Sequence, residues 1–321
     1  MSGQGSTGQI YDVIIIGGGP GGLTAGIYGA RAGLKALLIQ GASTVSQITV
    51  TDLIENYPGL PGGIGGFELV ENFRKQAREF GLEITDADVS GVAGFPLGDI
   101  SGWEVAAGGQ SYRAISLIVA TGATWRRLGV PGEEEYIGKG VSFCATCDGP
   151  FYRNRAVAVI GGGDTAIQEA IFLTHFASKV TVIHRRDRLR ATAILRDRAL
   201  KNEKIGFLWD SVLTEIRGGD FVEKLLVKNV NTKVISELSA EGVFIFVGLT
   251  PNTDLVRGIV ELDDKGYILA DQDMKTSAPG IFACGDCIQK SLRQVVTACG
   301  DGANAAFAAQ HYVEAAKGEA Y

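Results

Sequence analysis

Residues 141–152 read VSFCATCDGPFY, which leaves two residues between Cys144 and Cys147 and puts Asp148 directly behind the second thiol. A Cys-x-x-Cys pair has three chemical uses: half of a zinc tetrahedron, a structural staple, or a dithiol that cycles with its disulfide. The chain holds five cysteines in 321 residues. Its first nine residues, MSGQGSTGQ, lack the basic start and apolar stretch of a signal peptide, and no run approaches the roughly 18 apolar residues of a membrane span. The expected setting is therefore the cytoplasm, with no membrane partner. Thiols stay reduced there, which makes the staple the weakest of the three uses. Zinc ligation and redox cycling both remain open at this point.

Glycine marks a second kind of chemistry. It supplies 45 of the 321 residues, about twice its average share, and much of the excess falls in two loops. From Tyr11 the chain reads YDVIIIGGGPGGLTAGIYGARAGLKALLI: an apolar run, Gly17-x-Gly19-x-x-Gly22, a small-residue helix and a second apolar run. Gly17 allows the tight turn, Gly19 lets backbone approach a pyrophosphate, Gly22 lets the helix pack on its strand, and the helix N-terminus faces the phosphate charge. The acid expected at the end of the second strand is replaced by Gln40, so ribose must be held differently here.

A second copy begins at Arg155, with a strand expected at 156–160, Gly161-x-Gly163-x-x-Ala166, a helix to about Phe176 and a strand at 179–183. Its second strand runs into His184-Arg185-Arg186, with Arg190 following. Guanidinium groups at that position suit a 2′-phosphate rather than a 2′-hydroxyl, which points to NADP(H) over NAD(H). Farther on, Thr276–Asp286 reads TSAPGIFACGD, and a helix is expected from about Leu292. A short strand ending in Gly285-Asp286 offers one carboxylate to a ribityl hydroxyl, and the next helix can aim N–H groups at a flavin carbonyl. The first nucleotide then reads as FAD.

These sites require two strand-turn-helix-strand units, and 321 residues suffice for two domains of roughly 100–200 residues each. The expected fold is α/β: two Rossmann-like, three-layer dinucleotide-binding domains, the NADPH domain inserted into the FAD domain. The FAD domain is expected at 1–121 and 252–321, and the NADPH domain, carrying the Cys-x-x-Cys, at 122–251. Hinges are expected at 121–124 and 248–252, short polar glycine-containing stretches. With 45% hydrophobic and 21% charged residues the chain is ordinary globular material, and a net charge of −6 disfavours nucleic acid as a partner.

The chain resembles the low-molecular-weight, bacterial-type thioredoxin reductases, a class of FAD- and NAD(P)-binding pyridine nucleotide-disulfide oxidoreductases. The resemblance runs from about Tyr11 to Tyr312 through GGGPGG, ENYPG at 55–59, ATGA at 120–123, CATCDG at 144–149, GGGDTA, HRRDRLRA, GLTPNT at 248–253 and GDCIQKSLRQVVTACGDGA. CATCDG combined with HRRD-x-x-RA is its most specific part. It implies a homodimer that passes electrons from NADPH through FAD and a Cys144–Cys147 disulfide to thioredoxin or a thioredoxin-like protein. Cys147 would face the flavin, Cys144 would attack the partner's disulfide, and Asp148 would manage the thiolate's proton as acid or base. The family's FAD contacts carry over to Gly17, Gly19, Pro20 and Gly22, to Gln47, Ile48 and Asn56, to Thr121 and Gly122, and to Gly285, Asp286, Arg293, Gln294 and Val295. Its NADPH contacts carry over to Gly161, Gly163, Asp164 and Thr165, then to His184, Arg185, Arg186 and Arg190. The family's usual two glycines before Gln47 are Val45 and Ser46 here, which alters the backbone contacts at that loop.

A zinc site would need four Cys or His ligands. The other close pair, Cys284 and Cys287, straddles Asp286, and His175, His184 and His311 form no HxxxH pair, so no metal is expected. Cys284 and Cys287 read as packing cysteines beside the flavin loop. A disulfide pressed against a flavin cannot also touch a protein-sized partner, so the inserted domain is expected to rotate about its hinges. A flavin-dependent thiol oxidase, a ferredoxin-linked thioredoxin reductase and a non-enzymatic flavin redox sensor are the alternatives. The first two have little use for Arg185, Arg186 and Arg190.

Overall fold

A computed structural model describes residues 9–42, 46–50, 54–97 and 100–319; the side chains of Val50, Ile100, Thr146 and Cys147 lie outside the described set, as does all of Val45. In chain order the elements are β1 (Ile10–Ile16), α1 (Pro20–Arg31), β2 (Ala36–Gln40), α2 (Gly66–Glu79), β3 (Glu83–Asp86), β4 (Val89–Leu97), β5 (Ile100–Ala107), β6 (Gln110–Val119) and β7 (Ala123–Trp125). There follow β8 (Val141–Ser142), α3 (Ala145–Asp148), β9 (Ala156–Ile160), α4 (Asp164–Leu173), β10 (Lys179–Ile183), α5 (Ala193–Leu200) and β11 (Ile205–Leu208). The chain continues through β12 (Ser211–Gly218), β13 (Val222–Asn229), β14 (Ile235–Ser239), β15 (Gly242–Ile245), β16 (Leu249–Pro251), β17 (Ile281–Ala283) and α6 (Val295–Lys317).

The residues divide into two compact units, one formed by 1–124 with 250–321 and the other by 125–249. The stretches expected as hinges carry β7 and β16, which pair with each other as a two-stranded ribbon.

In the first unit the strand order is β3-β2-β1-β6-β5-β4, and β17 pairs with the C-terminal half of β6. The strands β3, β2, β1, β6 and β17 run parallel, whereas β4 and β5 extend β6 as an antiparallel meander. IYDVIII makes β1 a near-continuous buried run because a parallel strand is covered on both faces. Helices α1 and α6 cross at backbone distance: a Cβ on Gly302 would lie 2.1 Å from the Gly21 carbonyl oxygen. The core of this unit runs from Val13 and Leu37 through Leu117 to Phe282 and Ala305.

The second unit is built on a five-stranded parallel sheet, β11-β10-β9-β15-β8, with a three-stranded antiparallel sheet, β12-β13-β14, beside it. Strands β9 and β10 lie at the expected 156–160 and 179–183. Helix α4 stops at Leu173, before the expected Phe176, because residues 174–176 turn back through hydrogen bonds to Ile171, Phe172 and Leu173. Among the described residues no helix is long and apolar enough to cross a membrane.

Candidate active site

In the first unit the turn after β1 has the shape a pyrophosphate requires. Gly17 sits at φ +122°, and a side chain there would collide with Ala120 O at 2.2 Å, while a Cβ on Gly22 would meet Gly17 O at 1.9 Å. Both glycines close the turn. A Cβ on Gly19 would meet only Ser46 Oγ, at 3.7 Å, so the space over this residue is open at the start of α1. Pro20 stands in the first turn of α1, where its missing N–H costs nothing. Gln40, which replaces the acid of the usual fingerprint, donates to Asp86 and accepts from Arg74 at 3.2 Å. It ties the strand ends together.

Distant segments meet around this loop. Asn56 donates to Gln294 at 2.8 Å, and Gln294 caps α6 in a reciprocal arrangement with Thr297. The capping box sets the start of α6 at Val295, three residues beyond the expected Leu292. Gln47 donates to the Ala123 carbonyl, and Ile48 is buried beside it. Thr121 donates to Asn252 O at 2.6 Å and receives the Asn252 amide at 3.0 Å, while Gly122 takes φ +67°. The Arg293 guanidinium lies 4.1 Å from the Tyr267 ring and donates to the Lys290 and Ile288 carbonyls at 3.1 and 3.2 Å, so its side chain organises the loop itself.

Asp286 is the informative group here. Its Oδ1 is buried and has no hydrogen-bond partner among the described residues. Lys290 Nζ lies 3.8 Å away, an ion-pair distance, because it is drawn to Asp301 at 2.6 Å, and Asp301 also accepts the Gly285 N–H at 3.1 Å. Burial pushes the Asp286 carboxyl above its ordinary pKa against the opposing pull of Lys290 and Arg293. A buried acceptor without a donor fits a ribityl hydroxyl, and together with the open space over Gly19 it fits FAD.

The second unit repeats the turn. Gly161 takes φ +149° with Phe246 O 2.5 Å from where a Cβ would stand, and Gly163 has nothing within 4 Å of that position. Asp164 opens α4, followed by Thr165, and accepts the Thr192 N–H at 2.6 Å. The main chain of Arg190 and Ala191 donates to Gly162 O at 2.7 and 3.1 Å. These three bonds hook the arginine-bearing segment onto the phosphate loop, and buried Leu189 and Ala191 pin it from below. Arg185, Arg186 and Arg190 are exposed, and no ion pair involves them among the described residues. His184 is buried between Gly162 and Trp209, and its Nε2 has no hydrogen-bond partner among the described residues. Burial first, then Arg190, pushes its pKa below the ordinary value, so the ring is neutral. An open loop flanked by ordered cations fits NADPH.

Cys144 is disulfide-bonded and stands immediately before α3, which ends at Asp148. Cys147 lies within α3, with its side chain outside the described set. Its position ahead of the turn 149–152 would let Asp148 cap that turn, yet its side chain makes no capping hydrogen bond. Tyr152 packs edge-on against Phe244 at 5.3 Å, and its hydroxyl pKa is pushed up to about 12, chiefly by burial and next by the Asp148 charge.

A model of the pyridine nucleotide-disulphide oxidoreductase family matches residues 11–302. Thioredoxin reductase of Peptoclostridium acidaminophilum is 46% identical over 318 residues, spanning 96% of this chain and 98% of that protein. The crystal structure of Lactococcus lactis thioredoxin reductase is 45% identical, with a TM-score of 0.90 over 94% of this chain and 99% of that one. The chain belongs to the thioredoxin reductases of the pyridine nucleotide-disulphide oxidoreductase family.

In this reductase Cys284 and Cys287 are free and fully buried in the core of the first unit. Burial drives the Cys284 thiol well above its ordinary pKa and raises that of Cys287, whose Sγ donates to Cys284 O at 3.2 Å. Burial thus disfavours the thiolate, the reactive form, at both positions. Reading the sequence missed Ser142, Asn252, Lys290 and Asp301. Lys290 and Asp301 lie inside the quoted GDCIQKSLRQVVTACGDGA segment, but nothing in their spacing announces that they share a contact.

Proposed function

We propose that this chain is an NADPH-dependent, FAD-containing thioredoxin-disulfide reductase, acting as a homodimer on thioredoxin or a thioredoxin-like protein in the cytoplasm. The observation that carries the reading is the disulfide-bonded Cys144 in the same unit as a phosphate loop flanked by three exposed arginines. Bound FAD supplies a two-electron carrier between the nicotinamide hydride and the cysteine pair. Residues Gly17, Gly19, Asn56, Asp286 and Gln294 would hold it, and Gly163, His184, Arg185, Arg186 and Arg190 would hold NADPH.

The exchange chemistry belongs to the protein's own thiols. In the reduced pair the Cys144 thiolate attacks one sulfur of the partner's disulfide; a mixed disulfide forms and one partner thiolate leaves and takes up a proton, the transfer that the family resemblance assigns to Asp148 as acid or base. The Cys147 thiolate then attacks Cys144 Sγ, which releases the second partner thiolate and restores the Cys144–Cys147 bond. Two electrons have passed to the partner, and two protons complete its dithiol. The exposed arginines have no role in a thiol oxidase or a ferredoxin-linked enzyme, which favours the NADPH reading over both.

The test is an anaerobic assay with NADPH and a panel of thioredoxins and glutaredoxins, run on the wild type and on Cys144→Ser. NADPH should bleach the flavin in both, and only the wild type should reduce a thioredoxin. Thioredoxin turnover in Cys144→Ser, or none in the wild type with any member of the panel, would overturn the proposal.

A further inference from the structure

The redox cysteine is held to the sheet by one side chain that carries no assigned role. Ser142 ends β8, the edge strand that pairs in parallel with β15 through Phe244, and it is 3% exposed. Its Oγ accepts the Cys144 N–H at 3.0 Å and donates to the Cys144 carbonyl at 3.1 Å. That same carbonyl receives the Asp148 N–H at 3.2 Å and so closes the single turn of α3. The peptide groups on both sides of the Cys144 Cα are thus clamped to a buried hydroxyl, and through the carbonyl the clamp reaches Asp148. A four-residue helix has too few internal hydrogen bonds to hold itself. Its geometry must come from outside, and this hydroxyl is where its N-terminal end is tied down.

We infer that Ser142 is a positioning residue of the thiol-disulfide step: its hydroxyl holds the Cys144 backbone in the geometry of the closed disulfide and keeps Asp148 in register with that thiol. The inference rests on Cys144 being the attacking thiol of the proposed reductase. The clamp is present with Cys144 disulfide-bonded, and on this inference it holds that form better than the open dithiol. Losing it should make the pair easier to reduce and less apt to hand its electrons on. A single buried neutral hydrogen-bond pair corresponds to roughly a three- to tenfold change. Expressed as a potential, that is a shift of about 15–30 mV to less negative values for a two-electron couple.

Ser142→Ala removes the hydroxyl, and Ser142→Thr keeps it on a side chain suited to a strand. Both are examined in the FAD-loaded enzyme for four properties: FAD content, the rate of flavin reduction by NADPH, the midpoint potential of the cysteine pair against a glutathione or dithiothreitol buffer, and the pH profile of thioredoxin reduction. The expected result for Ser142→Ala is normal FAD content and flavin reduction, a potential raised as above, and thioredoxin turnover lowered roughly three- to tenfold with a displaced pH profile. Ser142→Thr should restore potential and turnover. A Ser142→Ala enzyme with unchanged potential and turnover would overturn the inference, as would losses that fall equally on flavin reduction or that Thr fails to restore. Cys144→Ser, run alongside, separates the two levels. If it still turns over thioredoxin, the reading of Cys144 fails; if it is dead while Ser142→Ala is normal, only the clamp fails.

Discussion

Gly161 and Gly163 are two residues apart in one phosphate loop, and their surroundings predict opposite consequences for the same added methyl. At Gly161 the backbone is at φ +149°, and the methyl would lie 2.5 Å from Phe246 O and 2.6 Å from Ala166 Cβ. The conformation alone costs about 1–3 kcal/mol for a residue with a side chain, before any clash with main chain. Gly161→Ala should therefore lose at least about 2 kcal/mol of stability. At Gly163 nothing lies within 4 Å of the new methyl, and φ is −91°. Replacing a helix N-cap glycine by alanine costs up to about 1 kcal/mol, and the stiffer unfolded chain returns about 0.4–1 kcal/mol. Gly163→Ala should leave Tm within about 2 °C of wild type. On the proposed reading the NADPH pyrophosphate lies against bare backbone in the open space over Gly163, so the same substitution should weaken NADPH binding at least tenfold, about 1.4 kcal/mol. Thermal unfolding and anaerobic stopped-flow titration of flavin reduction against NADPH measure the two effects separately. Normal NADPH affinity in Gly163→Ala, or a stability loss equal to that of Gly161→Ala, would refute the reasoning.

Replacing Arg185 and Arg186 together by Ser should cut the preference for NADPH over NADH by roughly a hundredfold, about tenfold per lost charge-assisted contact at an exposed site, and leave NADH rates alone. Equal rates with both nucleotides in the wild type would refute the 2′-phosphate assignment. Cys284→Ala combined with Cys287→Val keeps the buried volume close to native and should cost less than about 1.5 kcal/mol, with thioredoxin turnover intact. Collapse of turnover with FAD still bound would mean a second dithiol relay. His184 is buried with its pKa depressed, so the unfolded chain binds the proton more readily than the folded one. Its contribution to stability is complete above the unfolded value of about 6.5 and is lost as pH falls below it. In full-length protein the urea midpoint should drop below that pH more steeply for wild type than for His184→Asn; parallel slopes would count against a neutral buried ring.

Local spacing made the two nucleotide loops legible. Strand, glycine turn and helix occupy consecutive residues, so each loop could be read from a window of about thirty residues; the Gly22 collision with Gly17 O lies inside that window, whereas Gly17 and Gly161 are demanded by Ala120 O and Phe246 O, far outside it. The run CATCDG showed two cysteines and an acid at chemically useful spacing, but their separate roles came from the family resemblance. What no window contained were the contacts that give those groups their properties. Asn56 reaches Gln294 across 238 positions, Thr121 exchanges hydrogen bonds with Asn252 across 131, and Lys290 stands 3.8 Å from Asp286 Oδ1 while it bonds Asp301 at 2.6 Å. The hook of Arg190 and Ala191 onto Gly162, which sets the arginines beside the phosphate loop, is made by backbone N–H groups that every residue type carries. Hydrophobic periodicity and glycine spacing are written in residue types and so determine local form. A hydrogen bond between distant segments depends on where the chain returns, and only the tertiary fold decided which polar groups are paired and which, like Asp286 Oδ1 and His184 Nε2, are buried without a hydrogen-bond partner among the described residues.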